Sequence, residues 1–187
     1  ITTIIVFYLG RGYIVFRPQL FTYLILLLEF LFLEKYAKSN NYKWLISLPI
    51  LSILLINFHA SMWMLQFVFM IPFFCNCINI KGITIDRIKI LPLLIVTFFM
   101  LLVGFINPYG IHAITYIFNS YNDSSIVQLV NEMAPLTLND KNGMILIFSL
   151  LGIMFFMNYL KKIKLDIRYI LFFVGTAILG FMHNKTY

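Results

Sequence analysis

The chain is short of charge, and of acid above all: 7 of its 187 residues are Asp or Glu, and charged residues of both signs make up 11%. So few ionisable groups cannot supply the polar face that covers an ordinary globular core, so composition argues against that class. Cysteine is limited to Cys75 and Cys77. They are one residue apart in an apolar run, too close for an ordinary disulfide and without the further thiols or nearby His that a zinc site needs, and they read as packing residues. No basic run is interleaved with aromatics in a polar setting, which leaves nucleic acid without support as a partner. Repeats and low-complexity tracts are missing as well. The chain opens on Ile1 with no basic stretch and small-residue cleavage site, so no signal peptide is visible and the sequence reads as a fragment whose two ends lie inside a longer protein.

What is abundant is apolar. The hydrophobic fraction is 61%, with 20 Phe, and the mean hydropathy is +0.92. Runs of about twenty apolar residues recur between short polar breaks, the length that crosses a bilayer as helix. The expected fold is therefore all-α: a multi-pass transmembrane helix bundle of about six spans in one domain over 1–187. The spans are placed at 18–34, 44–58, 60–79, 90–106, 143–160 and 169–182. Pro18 suits the first turn of the first span, and Pro49 is expected to kink the second. A tight turn at His59 joins the second and third as an antiparallel hairpin. Asn107-Pro108-Tyr109-Gly110 stops the fourth, because proline and glycine both oppose continuation. The interval 107–142 is the one long polar stretch and is expected to carry short interfacial helices around 111–118 and 126–133.

The formal charge is +7, and most of the 14 basic residues fall in three clusters: Lys35, Lys38 and Lys43; Lys81, Arg87 and Lys89; and Lys161, Lys162, Lys164 and Arg168. The positive-inside rule makes loops 35–43, 81–89 and 161–168 cytoplasmic. Counting spans puts all three on one side, with Arg11–Arg17, His59, the 107–142 loop and His183 on the other. Trp44 and Trp63 read as belt aromatics at opposite interfaces, and Glu29, inside the first span, as structural.

Polar residues then gather in one outer layer: Arg11, Arg17, Asn57, His59, Asn107, Tyr109, Asp123, Glu132 and His183. Arg17 stands just before a helix start, where a bound phosphate or carboxylate would be attracted by both the side chain and the helix dipole. The plainer alternative is an arginine snorkelling to headgroups. His59 is either a wetted turn residue or a hydrogen-bond donor or proton-transfer group, with Asn57 at a similar level. Glu132 is either a solvated charge or a base or ion-pair partner, and His183 closes the last span. No motif encodes a metal site; a divalent cation stays open as a cofactor.

The series Arg17-Pro18-Gln19-Leu20-Phe21, Leu48-Pro49, Asn57-Phe58-His59, Asn107-Pro108-Tyr109-Gly110, and Glu132 with Pro135 resembles a group of bacterial multi-pass membrane proteins similar to GT-C glycosyltransferases. Leu55, Ala60-Ser61 and Met133 depart from that pattern. The resemblance implies a bacterial plasma-membrane enzyme that takes a sugar from a polyprenyl-phosphate carrier at the extracytoplasmic face. Arg11, Arg17, Asn57, His59, Asn107, Tyr109, Glu132 and His183 are its substrate-binding candidates. It also implies that the acidic catalytic base lies upstream of Ile1, and that membrane lipids and the lipid-linked sugar are the partners. Sugar, acceptor and oligomeric state stay unassigned. The competing classes are a transporter or flippase for a lipid-linked substrate and a non-catalytic membrane subunit.

Overall fold

The computed structural model describes residues 18–78, 88–115 and 166–181, with residues 144, 147–149, 151, 152 and 155. Among these are five α-helices, named here α1 (Pro18–Ser39), α2 (Leu48–Phe58), α3 (Met64–Asn76), α4 (Ile90–Val103) and α5 (Ile167–Phe181), with 3₁₀ turns at Tyr42–Leu45 and Ala60–Met62. The chain forms two compact units, residues 1–71 with 89–117, and residues 72–88 with 118–187. The division falls at Pro72, inside α3, where proline removes a main-chain hydrogen bond.

Helix α1 has a Leu- and Phe-rich body and a polar stop. Asn40 adopts φ 50°, a left-handed conformation that asparagine tolerates, and its N–H donates to Tyr36 O at 2.7 Å. Asn41 then starts the Tyr42–Leu45 turn, its Oδ1 accepting from the Lys43 N–H at 3.1 Å. In the first unit, α2 packs principally against α1 and α4 rather than against its sequence neighbour α3. Leu33, Tyr36, Leu48, Leu55, Trp63, Met70, Leu93 and Met100 are among the buried residues of this unit.

Two close approaches fix the middle of the packing. Trp63 is buried and its Nε1–H donates to Ser52 Oγ at 2.7 Å, while the Ser52 hydroxyl donates to Met100 O at 3.3 Å. The indole edge lies over Gly104, where an added Cβ would meet Cζ2 at 2.4 Å and Cη2 at 2.7 Å. Trp63 is therefore a core residue, not a belt aromatic. Trp44 stacks on Phe32 with 6.3 Å between centroids, and Lys35 Nζ lies 4.3 Å above its ring.

The multi-pass expectation is corrected by the helix lengths. Among the described residues no helix is long and apolar enough to cross a membrane. The 11 residues of α2 rise about 16 Å, and a hydrocarbon core is about 30 Å thick. The 13 of α3 and 14 of α4 also fall short. Helix α1 has 22 residues but carries Glu29, Glu34, Lys35 and Lys38 along them.

The hydropathy reading failed because apolar letters run on through backbone breaks. The stretch 44–58 contains the end of a 3₁₀ turn and a helix start, with Pro49 in the first turn of α2 rather than at a kink within a span. The stretch 60–79 contains a second 3₁₀ turn and stops being helical after Asn76. The bundle of about six transmembrane spans, the plasma-membrane localisation and the sidedness of loops 35–43, 81–89, 161–168 and 107–142 all depended on those crossings, and fall with them. The antiparallel hairpin at His59 is replaced by the α1–α2–α4 packing. The 143–160 stretch lies mostly outside the described residues.

The second unit corrects the reading of Arg168 as a loop cation. It is 1% exposed, with Nη1 3.0 Å from Asp166 Oδ2, and Asn76 Nδ2 donates to the same oxygen at 3.5 Å. Phe73 meets Phe172 edge-on beside them, with 5.8 Å between centroids.

Candidate functional site

The first unit gathers polar side chains where α1 begins and α2 ends. Helix α2 stops because His59 leaves helical geometry, with φ −152° and ψ 71°, while its N–H still donates to Leu55 O at 2.8 Å. Its carbonyl then accepts from the Met62 N–H at 3.0 Å, starting the next 3₁₀ turn. The imidazole is thereby held between two main-chain anchors.

Thr22 Oγ1 lies 2.8 Å from His59 Nδ1, a contact between residues 37 apart in the chain. Below it Phe21 and Phe58 stack nearly parallel, at 8° and 5.3 Å. The stack is an apolar hinge-pin that sets the two helix ends in register, and the hydrogen bond orients the ring. Thr22 is buried and His59 half-buried. Burial pushes the His59 imidazole below its usual pKa, so the neutral ring is favoured. When the threonine hydroxyl donates to Nδ1, Nε2 carries the proton and becomes a donor; the opposite tautomer makes Nε2 an acceptor. Among the described residues no group bonds Nε2. Gln19, one helical turn before Thr22, has a buried side-chain oxygen with no hydrogen-bond partner.

Asn57 joins this end to α4. Its Nδ2 donates to Ile53 O at 2.8 Å and to Ile106 O at 2.9 Å, tying the last turn of α2 to the turn after α4. Asn107 builds that turn: its Nδ2 donates to Gly104 O at 2.7 Å and Gly110 O at 3.1 Å, and its Oδ1 accepts from the Tyr109 N–H at 2.8 Å. Gly110 has φ 55°, where a side chain would be strained. Tyr109 is 73% exposed. Asn57 and Asn107 thus spend their amides on main-chain carbonyls, as builders of the rim, whereas His59 Nε2 has no partner among the described residues.

Of the substrate-binding candidates, Asn57, His59, Asn107 and Tyr109 lie within the described residues. Asn57 and the Asn107 turn meet through Ile106, and His59 follows Asn57 by two positions; Arg11, Arg17, Glu132 and His183 lie outside. Sequence reasoning missed Thr22 as the partner of His59 and Gln19 as its neighbour. No local signal could have found the Thr22–His59 contact, which joins residues 37 apart.

A second polar pair sits deeper in this unit. Glu29 and Gln66 are both 0% exposed, and neither carboxylate oxygen has a well-formed hydrogen bond. Burial raises the Glu29 carboxyl well above its usual pKa, and the nearby Gln66 amide only partly opposes this. The thiols of Cys75 and Cys77 are free, and burial followed by the neighbouring Cys75 pushes the Cys77 thiol up, away from reactivity. Among the described residues no group of three His, Cys, Asp or Glu is placed to hold a metal ion.

No protein-family model matches the chain, and neither a curated protein nor a solved structure matches it.

Proposed function

We propose that this chain is the donor-recognition part of a glycosyltransferase that takes its sugar from a polyprenyl-phosphate carrier, with the phosphate-sugar head bound where α1 begins and α2 ends. The observation that carries the reading is the Thr22–His59 hydrogen bond. It orients the imidazole and leaves Nε2 without a partner among the described residues, and Gln19, one helical turn before Thr22, has a side-chain oxygen with no hydrogen-bond partner. Neutral Nε2–H donates to a phosphate oxygen, and the Gln19 oxygen accepts from a sugar hydroxyl. In such a transfer the carrier phosphate departs with the electron pair of the sugar C–O bond. An acceptor hydroxyl forms the new C–O bond and releases its proton. Hydrogen bonds that strengthen as charge grows on the leaving phosphate accelerate this step.

Two further features support an amphiphilic donor. The order of the Arg17-Pro18-Gln19, Asn57-Phe58-His59 and Asn107-Pro108-Tyr109-Gly110 motifs resembles that of GT-C-like enzymes. The first unit also exposes many large apolar side chains, among them Phe21, Leu24, Phe58, Phe105 and Ile106 close to this end, a surface that favours an isoprenoid chain. Arg17, adjacent in sequence to Pro18, is the proposed cation for the same phosphate.

The test is calorimetric titration of the full chain with farnesyl phosphate and a farnesyl-phosphate hexose, using His59→Ala and Thr22→Val. Loss of one charge-assisted contact weakens binding by roughly 1.5–3 kcal/mol, about ten- to a hundredfold. Unchanged affinity in both variants would refute the assignment.

A further inference from the structure

Glu29 and Gln66 both lie in the first unit, and the sugar-transfer reading uses neither. Glu29 stands on the inner face of α1, where Thr22, Leu26, Glu29, Leu33 and Tyr36 follow at alternating steps of four and three and are all buried. Gln66 stands on α3 with Met70 one turn on, and both are 0% exposed. Helix α1 packs principally on α2 and the Tyr42–Leu45 turn, and its main chain makes few close approaches to α3. The Glu29–Gln66 approach is therefore a polar side-chain link between two helices whose main chains stay apart.

Nothing in its surroundings satisfies this link. Both carboxyl oxygens of Glu29 and both side-chain polar atoms of Gln66 are buried without a hydrogen bond. Among the described residues no cation compensates a carboxylate here. Helices α2 and α4 contain no titratable residue, and α3 contains only Cys75, near its far end. In the Tyr42–Leu45 turn, Tyr42 and Lys43 are exposed. His59 faces Thr22, about two helical turns from Glu29 along α1. On α1 itself Tyr23 is exposed, Glu34 pairs with Lys38, Lys35 covers the Trp44 ring, and the Tyr36 hydroxyl donates to Lys89 O. An ionised carboxylate only accepts, and so does the Gln66 carbonyl, so the two oxygens need a proton between them. The neutral acid is also far easier to bury than its anion, which is why burial pushes the Glu29 carboxyl well above the usual carboxylate range.

We propose that Glu29 and Gln66 form a proton-binding clasp between α1 and α3, closed at neutral pH. With the proton bound, the carboxyl O–H donates to the Gln66 carbonyl and the Gln66 NH₂ donates to the other carboxyl oxygen, a neutral ring of two hydrogen bonds. When the proton passes to hydroxide in the solvent, the O–H donor is lost and an unpaired carboxylate stands in an apolar seam. The clasp then opens to admit water beside Trp63, whose carbonyl accepts from the Gln66 N–H at 3.2 Å. This switch lies apart from the Thr22–His59 contact and does not depend on the sugar-transfer reading.

Infrared spectroscopy of the full chain across pH tests it. Tryptophan emission in a Trp44→Phe background, where Trp63 is the one tryptophan left, gives a second readout. The parent shows at neutral pH the C=O band of a protonated carboxyl that Glu29→Gln lacks, and loses it as pH rises. Gln66→Leu moves that band to higher wavenumber, as a carboxyl C=O does on losing a hydrogen bond. Trp63 emission shifts to the red with the same midpoint as the band disappears. Glu29→Gln holds the emission in place, because its amide stands in for the protonated acid. A neutral-pH spectrum that Glu29→Gln leaves unchanged, a band that Gln66→Leu does not move, or a Trp63 shift of equal size in Glu29→Gln would each overturn the proposal. So would a Trp63 shift that sodium or potassium chloride reverses at high pH and choline chloride does not, which would assign the pair to a metal cation in place of the proton.

Discussion

Replacing Gly104 by Ala tests the packing that sets the end of α4. The new methyl would stand 2.4 Å from Trp63 Cζ2 and 2.7 Å from Cη2, about 1 Å or more inside ordinary carbon–carbon contact of ~3.5–4.0 Å. The indole cannot retreat easily, because Trp63 is 1% exposed and its Nε1–H is held by Ser52. Overpacking of this kind costs about 1–3 kcal/mol. Against it stands a gain of up to ~1 kcal/mol, since the Gly104 backbone is helical, at φ −57° and ψ −23°, and alanine has less unfolded-state entropy to lose there. The net expectation is a loss of ~1–2 kcal/mol, from the difference of these two terms. Urea unfolding followed by circular dichroism reads it as a midpoint lower by roughly 0.5–1 M at an unchanged slope near 2 kcal/mol/M. Trp63→Phe in the Gly104→Ala background removes the clashing ring edge. The double variant should then lose less than the sum of the two single losses, by at least ~0.5 kcal/mol. Strict additivity, or a Gly104→Ala protein as stable as the parent, would refute this packing.

Two further perturbations have signs fixed by burial. The Glu29 carboxyl has a folded-state pKa above its unfolded value, so its contribution to stability is fully present below the unfolded pKa, near ~4.3, and is lost as pH rises through the folded value. Glu29→Gln removes that dependence; the variant is expected to be more stable than the parent at neutral pH, with the advantage shrinking towards pH 4, and a pH-independent difference in thermal midpoint would contradict it. Asp166→Asn leaves the Arg168 guanidinium buried without its carboxylate and should cost ~3–5 kcal/mol, whereas Asp166→Leu with Arg168→Met should cost less than that single change; denaturant midpoints that rank the other way would remove the ion pair from the account.

The chain's helical character was legible in its apolar runs, and so were several breakpoints. Pro18, the Asn40–Asn41 break and His59 mark places where the helices start or stop, whereas α4 already ends at Val103, before Asn107-Pro108-Tyr109-Gly110. Helix length was not legible. Apolar residues in 3₁₀ turns, such as Leu45 and Met62, carry the same hydropathy as those within helices, so a run of letters ran past the end of the hydrogen-bonded segment. Glu29 was read as structural and is buried, but the partners of the buried acids were not legible. Glu29 and Asp166 look like span interior and loop when read singly, and only the fold brings Gln66 to the first and Arg168 to the second. At the candidate site, Asn57 and Asn107 could be singled out as polar residues at helix ends. Asn107 works within its own turn, on carbonyls 3 residues away, but the Asn57 bond to a carbonyl 49 residues away depends on how α2 and α4 pack. Thr22 was invisible because a threonine in an apolar helix usually bonds its own backbone; its His59 contact spans 37 residues and has no local signature.

The central claim is that His59 presents a ring nitrogen to the phosphate of the donor. Side-chain NMR of ¹⁵N-labelled His59 in the full chain, with and without farnesyl phosphate, tests this most directly, and exposed His112 serves as the internal reference. The account predicts a neutral ring that titrates below the usual histidine range in the free protein, because burial disfavours its charged form. Adding farnesyl phosphate should shift the His59 Nε2 resonance and raise the ring's pKa, as a bound anion stabilises the imidazolium, while His112 stays unchanged. Equal shifts at His59 and His112, or none at His59 at saturating ligand, would contradict it.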